Sequence, residues 1–172
     1  ELPEANVATA PPEFRGLARD QIRLLVTSPG GATRHERFRT LPDLLEPDDL
    51  LVVNRSRTIP AAIPALRSDG REAILHLAHH IGGDLWAVEV REPKGWGTGP
   101  QFDALPGEPL QLAGDSRVTL LAPYRQSDSP PGPDRLWLTN WRPPSPPLTY
   151  LERHGGPIRY DYIAEEVSME MY

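Results

Sequence analysis

Two polar clusters carry residue types suited to chemistry on an anionic or sugar-bearing ligand. In Arg19-Asp20-Gln21-Ile22-Arg23-Leu24-Leu25-Val26, charged residues precede and interrupt an apolar strand. That pattern fits either a structural Arg–Asp pair at a strand start or a cationic site wall. In Leu51-Val52-Val53-Asn54-Arg55-Ser56-Arg57-Thr58, a buried strand ends in consecutive polar groups. Ligand sites favour the carboxyl ends of buried strands, where side chains and backbone N–H groups converge on a crevice. A polar turn in which Asn54 caps its own backbone would use the same residues. From Phe14 to Arg39 six Arg stand against Asp20 and Glu36. A chain of net charge −6 therefore still holds a locally basic face able to meet phosphates.

Other chemistries fit less well. His76, His79 and His80 invite a metal, but on a regular strand His76 and His79 point to opposite faces. His76 and His80 would share a face about 13 Å apart, too far for one ion. Solvated imidazoles at a strand end are the expectation, with no metal. Gly95-Trp96-Gly97-Thr98-Gly99 resembles a glycine-rich nucleotide loop, as a methyltransferase reading would require. Such a loop works by leading into a helix whose N-terminus faces the ligand, and Pro100 follows with no helical periodicity. A hairpin tip is the expectation. No nucleophile elbow, phosphate-binding loop or His-Glu metalloprotease motif occurs. Trp86, Trp137 and Trp141 fall in or beside strands, where aromatics serve a core.

The elements that must position these residues are short. The chain has 172 residues, 38% of them hydrophobic, and 21 prolines. Proline this dense excludes long helices and central strands wherever it falls. No apolar run reaches the roughly 18 residues of a membrane span, the first residues lack the pattern of a signal peptide, and there is no Cys. A cytoplasmic location is the expectation.

Ile22–Thr27 reads as a strand closed by the turn Ser28-Pro29-Gly30-Gly31. Thr40-Leu41-Pro42-Asp43 reads as a helix start capped by Thr40, and Leu50–Val53 as a second buried strand. Further strands are expected at Ala73–Ala78, Leu85–Arg91, Pro109–Leu112, Val118–Leu121 and Leu136–Thr139. The turns between them suggest an antiparallel barrel or sandwich. Pro143-Pro144-Ser145-Pro146-Pro147 is the clearest linker. The fold class expected is α/β plus all-β. An antiparallel β-barrel at 61–143 would be inserted into a partial, barrel-like α/β domain made of 1–60 and 144–172.

In order along the chain, these motifs resemble the S-adenosylmethionine:tRNA ribosyltransferase-isomerase family of queuosine biosynthesis, in a divergent actinobacterial-like branch. The resemblance runs from Leu2-Pro3 and Pro11-Pro12-Glu13 through Arg19-Asp20-x-x-Arg23-Leu24-Leu25-Val26, His35, Phe38 and Leu41-Pro42-x-Leu44-Leu45. It continues at Asp49-Leu50-Leu51-Val52-Val53-Asn54, Thr58-x-Pro60-Ala61 and Pro157-Ile158-Arg159-Tyr160-Asp161-Tyr162-Ile163. Asp48-Asp49 stands where the family has Gly-Asp, and Asn54-Arg55-Ser56-Arg57-Thr58 where it has Asn-Asp-Thr-Arg-Val. Segments the family carries after Ile163 are missing, and Val167-Ser168-Met169-Glu170-Met171 resembles part of one of them. A truncated chain, a deleted loop or a degenerate natural half-protein would each fit this pattern, which covers about half a family member.

The resemblance implies transfer of the ribosyl group of S-adenosylmethionine to 7-aminomethyl-7-deazaguanine in tRNA, giving epoxyqueuosine. It implies that Arg19 and Arg23 hold a phosphate or carboxylate, with Asp20 orienting one of them. Asn54, Ser56 and Thr58 would bond the ribose or a base edge, and Tyr160 and Tyr162 would stack on a base. Asp20 and Glu170 would be the acid–base candidates. The rival expectation is a noncatalytic RNA- or protein-binding β module that keeps the fold without the chemistry.

Overall fold

A computed structural model describes residues 3, 7–95, 97–125, 132–159 and 168. The chain divides into two compact units, 1–56 and 57–172.

The first unit is built from turns and one hairpin. Pro12–Arg15 forms a 3-10 turn that Gly16 ends in the left-handed region, φ 70°, where a residue without Cβ fits best. A second 3-10 turn, Arg19–Gln21, is closed by the Gln21 side chain, whose Oε1 accepts from the Ala18 N–H at 2.8 Å. β1 (Arg23–Val26) pairs antiparallel with β2 (Arg34–Arg37), from Arg23 opposite Arg37 to Val26 opposite Arg34.

Two sequence expectations are corrected here. Instead of an α-helix capped by Thr40, a seven-residue 3-10 turn runs Phe38–Leu44. The Thr40 hydroxyl donates to the Arg37 carbonyl at 2.8 Å. Pro42 inside this turn has no N–H to give, and Pro47 follows closely, so an α-helix has no room to propagate. Leu50–Val53 is not a strand, and its side chains are exposed, Leu50 to 87% and Val52 to 83%. A strand needs a neighbouring ladder, and no described residue of this unit pairs with the segment.

The second unit is a closed six-stranded antiparallel barrel. Its strands are β3 (Ala62–Arg67), β4 (Glu72–Gly82), β5 (Leu85–Lys94), β7 (Pro109–Leu112), β8 (Arg117–Pro123) and β9 (Leu136–Trp141). The ladder runs β4-β3-β7-β8-β9-β5, and β5 pairs back with β4 to close the ring. The short β6 (Gly97–Pro100) pairs with the end of β5 beyond β9. Alternation fills the interior: Ile63, Leu75, Val88, Val90, Leu110 and Leu120 are buried to 1% exposure or less. Each fully buried aliphatic side chain contributes about 2 kcal/mol.

β3 escapes the sequence reading because Pro64 lies in its middle. β7 pairs with β3 only from Ala65 on, so Pro64 sits where the strand has one neighbour, as proline requires. α1 (Pro147–His154) places Tyr150 and Leu151 in the barrel core. The Tyr150 hydroxyl donates to the Ala113 carbonyl at 2.7 Å, and its ring meets Trp141 edge-on at 5.3 Å. The chain then rejoins β3 through reciprocal bonds between Ala62 and Gly156, 2.9 and 2.8 Å. Among the described residues α1 is the one α-helix. The described residues are mostly β, with few helices. No described helix is long and apolar enough to cross a membrane.

Arg67 is 5% exposed and tied at both ends of its guanidinium. Nε and Nη2 reach Glu108 at 2.6 and 2.9 Å, and Nη1 reaches Asp103 at 2.6 Å. Burial opposes its charge, but the Glu108 and Asp103 carboxylates outweigh it and raise its pKa further.

Candidate functional site

Of the residues expected to form a site, Arg19, Asp20 and Arg23 lie close in sequence at the start of β1. Arg19 is held by Glu13, Nε to Oε1 at 2.5 Å, rather than by Asp20. Asp20 and Arg23 are exposed, and Arg23 faces Arg37 across the hairpin. A small recess in this unit is lined by Leu17, Gln21, Arg37 and Arg39. Arg37 is fixed there by its Nη1 bond to the Gln21 carbonyl at 2.8 Å. Asn54 accepts the Ser56 N–H on Oδ1 at 2.8 Å, the self-capping turn that its residue type favours. Ser56 and Thr58 are exposed. Tyr160, Tyr162 and Glu170 lie outside the described residues.

A more constructed arrangement lies on the outer wall of the barrel. β5 changes partner there: Glu89 pairs with Leu136 at the start of β9, and Arg91 pairs with Pro100 of β6. A cleft of about 340 Å³ opens at this seam. Leu75, Leu77, Val88 and Val90 fill the core, so the alternating His76, Glu89 and Arg91 face outward.

Arg91 is fixed from two sides. Nε donates to Thr98 Oγ1 at 3.1 Å and Nη2 to the Thr98 carbonyl at 2.8 Å, while Nη1 donates to Glu89 Oε1 at 2.8 Å. Arg135 also reaches Glu89 Oε1, from Nε at 3.1 Å and Nη2 at 2.9 Å. His76 is 7% exposed, with Nε2 at 3.5 Å from Thr98 Oγ1. Burial and the positive charge of Arg91 push the His76 pKa down, against an opposing pull from Glu89. Its imidazole is neutral at pH 7. Thr98 Oγ1, which accepts from Arg91, thus lies between Arg91 and His76.

The sequence reading expects a solvated imidazole at His76, whereas the ring is buried, and it does not bring Glu89, Arg91, Thr98 and Arg135 together. Their spacing carries no motif, because strand pairing brings them together. A bulge between Leu77 and His79 also reverses the expected facing. His79 opposes Ala87 and shares the face of His76, whereas His80 opposes Trp86 and stacks on its ring at 4.4 Å. No group of three or more metal-ligating side chains occurs among the described residues. Gly97-Thr98-Gly99 is part of β6, and the next element after Pro100 is the strand β7, so the glycine run lacks the helix N-terminus that a nucleotide loop needs. Trp137 and Trp141 are buried and Trp86 is half-buried against the core, as expected for core aromatics.

The chain is similar to curated S-adenosylmethionine:tRNA ribosyltransferase-isomerases. That of Methylocella silvestris is 42% identical over 55% of this chain and 27% of its own length. The Anaeromyxobacter dehalogenans protein is 38% identical over 69% of this chain and 36% of its own. The Nostoc protein is 29% identical over 72% of this chain and 32% of its own. The chain thus spans about a third of the length of the curated relatives it matches. No solved structure matches it. The family described as "Queuosine biosynthesis protein" matches residues 1–172, and the chain belongs to that family.

Proposed function

We propose that this chain is part of a cytoplasmic S-adenosylmethionine:tRNA ribosyltransferase-isomerase. The enzyme would move the ribosyl moiety of S-adenosylmethionine to 7-aminomethyl-7-deazaguanine in tRNA, giving epoxyqueuosine without a metal. The observation that carries the reading is the family match along the whole chain, together with relatives of that name. In this reading the barrel, 61–143, is an insertion in a discontinuous α/β domain made of 1–60 and 144–172. Arg19 and Arg23 hold an anionic group of a substrate. Asn54, Ser56 and Thr58 bond the ribose or a base edge, and Tyr160 and Tyr162 stack on a base. Asp20 and Glu170 are the acid–base pair for proton removal beside the sulfonium and for adenine departure. S-adenosylmethionine and tRNA are the substrates.

Incubating the chain with S-adenosylmethionine and an unmodified precursor tRNA tests this directly. Adenine release supports the enzyme. In a relative of full length, Arg23→Ala should lower transfer at least tenfold; unchanged transfer and tRNA affinity would remove Arg23 from the site. One observation favours the alternative, a noncatalytic RNA- or protein-binding β module: the barrel closes its own ladder, whereas Asn54 and Ser56 lie in an exposed turn. RNA binding without adenine release is the result this second reading expects.

A further inference from the structure

We propose that the mouth of the barrel at Trp86 is a stacking site for one unpaired base of an RNA, held against the rings of Trp86 and His80 and met at its edge by Asp84 and Arg142. The proposal rests on the tRNA-modifying reading for the identity of its RNA. Trp86 keeps the phase of the core residues Val88 and Val90 along β5. Its indole therefore points inward at the end of the barrel where Gly83-Asp84 turns β4 into β5. A cavity of about 400 Å³ opens there, with Trp86, Asp84 and Arg142 in its lining. That volume is in the range of ligand sites, and barrel mouths are among the places such sites favour.

The rings are set before a ligand arrives. His80, itself exposed, lies on Trp86 at 4.4 Å between centroids. Its Nε2 donates to the Gly83 carbonyl at 2.8 Å, which fixes the imidazole. Behind them Trp141 meets Trp86 edge-on at 5.4 Å, and its Nε1 donates to Ser116 Oγ at 3.0 Å. Trp86 stays half-buried, so part of its indole serves the cavity instead of the core. Bases stack on aromatic side chains placed in this way, and do so with little regard to sequence, because every base has a π-face.

The rim favours a base over a proline-rich peptide, the other ligand that aromatic clefts take. Arg142 Nε and Nη2 both reach Asp84 Oδ2, at 3.0 and 2.6 Å. Among the described residues none bonds Asp84 Oδ1 or Arg142 Nη1, so the pair keeps one acceptor and one donor open on the cavity's lining. A base edge carries donors and acceptors together and uses both groups. A polyproline segment has carbonyls but no N–H, and leaves the carboxylate without a partner. Asp84 and Arg142 offset each other's charge, so stacking rather than attraction for phosphate is the main contribution here.

The test is equilibrium binding of the chain to an unmodified tRNA transcript across a salt series, without S-adenosylmethionine. Trp86→Ala should weaken binding about tenfold and leave the slope of log K against log salt unchanged, since no phosphate contact is lost. Trp86→Phe, which keeps a ring, should bind within about threefold of wild type. Wild-type affinity in Trp86→Ala, a lowered slope, or equal weakening by Trp86→Phe overturns the proposal, as does absence of tRNA binding by the wild-type chain. A second measurement needs no variant that could unfold the barrel. The Trp86 indole resonances of the wild-type chain, assigned by their loss in Trp86→Phe, should move upfield with tRNA, as the ring current of a stacked base requires. Unmoved resonances overturn the proposal. A shift produced by decaproline that tRNA does not reverse would assign the mouth to a protein partner and overturn the RNA source. Adenine release is measured separately, so its failure removes the enzymatic reading while the binding result stands.

Discussion

Arg67 and His76 are two buried polar residues that the fold satisfies in different ways. Arg67 has its fork filled by Glu108 and Asp103, partners 41 and 36 residues away in sequence. Removing one member of a buried pair strands the other charge, and Glu108 is only 9% exposed. Arg67→Met is expected to destabilise the barrel by about 3–5 kcal/mol, measurable by urea denaturation. Arg67→Met combined with Glu108→Gln should recover part of that loss.

His76 is held neutral, and the sign of its pH effect follows. Its pKa in the fold lies below the ordinary value near 6.5, so between the two values the unfolded chain binds more protons. Stability is therefore unaffected by this group above about pH 6.5 and falls as pH drops below it. His76→Asn should flatten that part of the stability–pH curve; an unchanged slope between pH 6.5 and 5 would show that another group dominates. Neither residue was legible as a network from sequence, since long-range pairing has no local spacing to betray it.

At the scale of elements, the strands with clean alternation were legible. Pro109–Leu112 has the expected bounds, and β4, β5, β8 and β9 each extend beyond theirs. β3 was hidden by Pro64, and β2, Arg34-His35-Glu36-Arg37, has no apolar alternation to reveal it. It forms because the Pro29–Gly31 turn returns the chain alongside β1. Leu50–Val53 shows the reverse failure, since apolar β-formers make a strand only where a ladder receives them.

Where α1 meets the barrel, space rather than dihedral freedom constrains the chain. A Cβ on Gly155 would lie 2.1 Å from the Pro60 carbonyl oxygen and 2.9 Å from that of Leu151, both backbone atoms that cannot swing away. Gly155→Ala should cost about 3 kcal/mol and loosen the reciprocal Ala62–Gly156 bonds. Faster amide exchange at these two residues, with β8 and β9 still protected, would be the expected pattern.

At the scale of the whole molecule, the candidate residues divided by how much local sequence they needed. Asn54 and Ser56 form the turn their types encode, because a side chain bonding two residues ahead needs nothing distant. The cleft residues are drawn from β4, β5, β6, the start of β9 with the residue before it, and the segment after α1, so no window of sequence contains them. Ring closure gives β4 and β5 a neighbour on each side, and β6 takes over from β9 along β5, which makes the seam at Glu89–Arg91.

The bare run at Leu50–Val53 has a consequence for how the chain behaves in concentrated solution. Four consecutive β-forming aliphatics without proline or charge are the composition from which intermolecular cross-β stacks grow. Asp48 and Asp49 on one side, and Arg55 and Arg57 on the other, stand as gatekeepers that repel copies stacked parallel and in register. Salt screens such repulsion, so light scattering by the chain should rise with both protein and sodium chloride concentration. Val52→Asp should suppress that rise without moving the barrel's thermal transition.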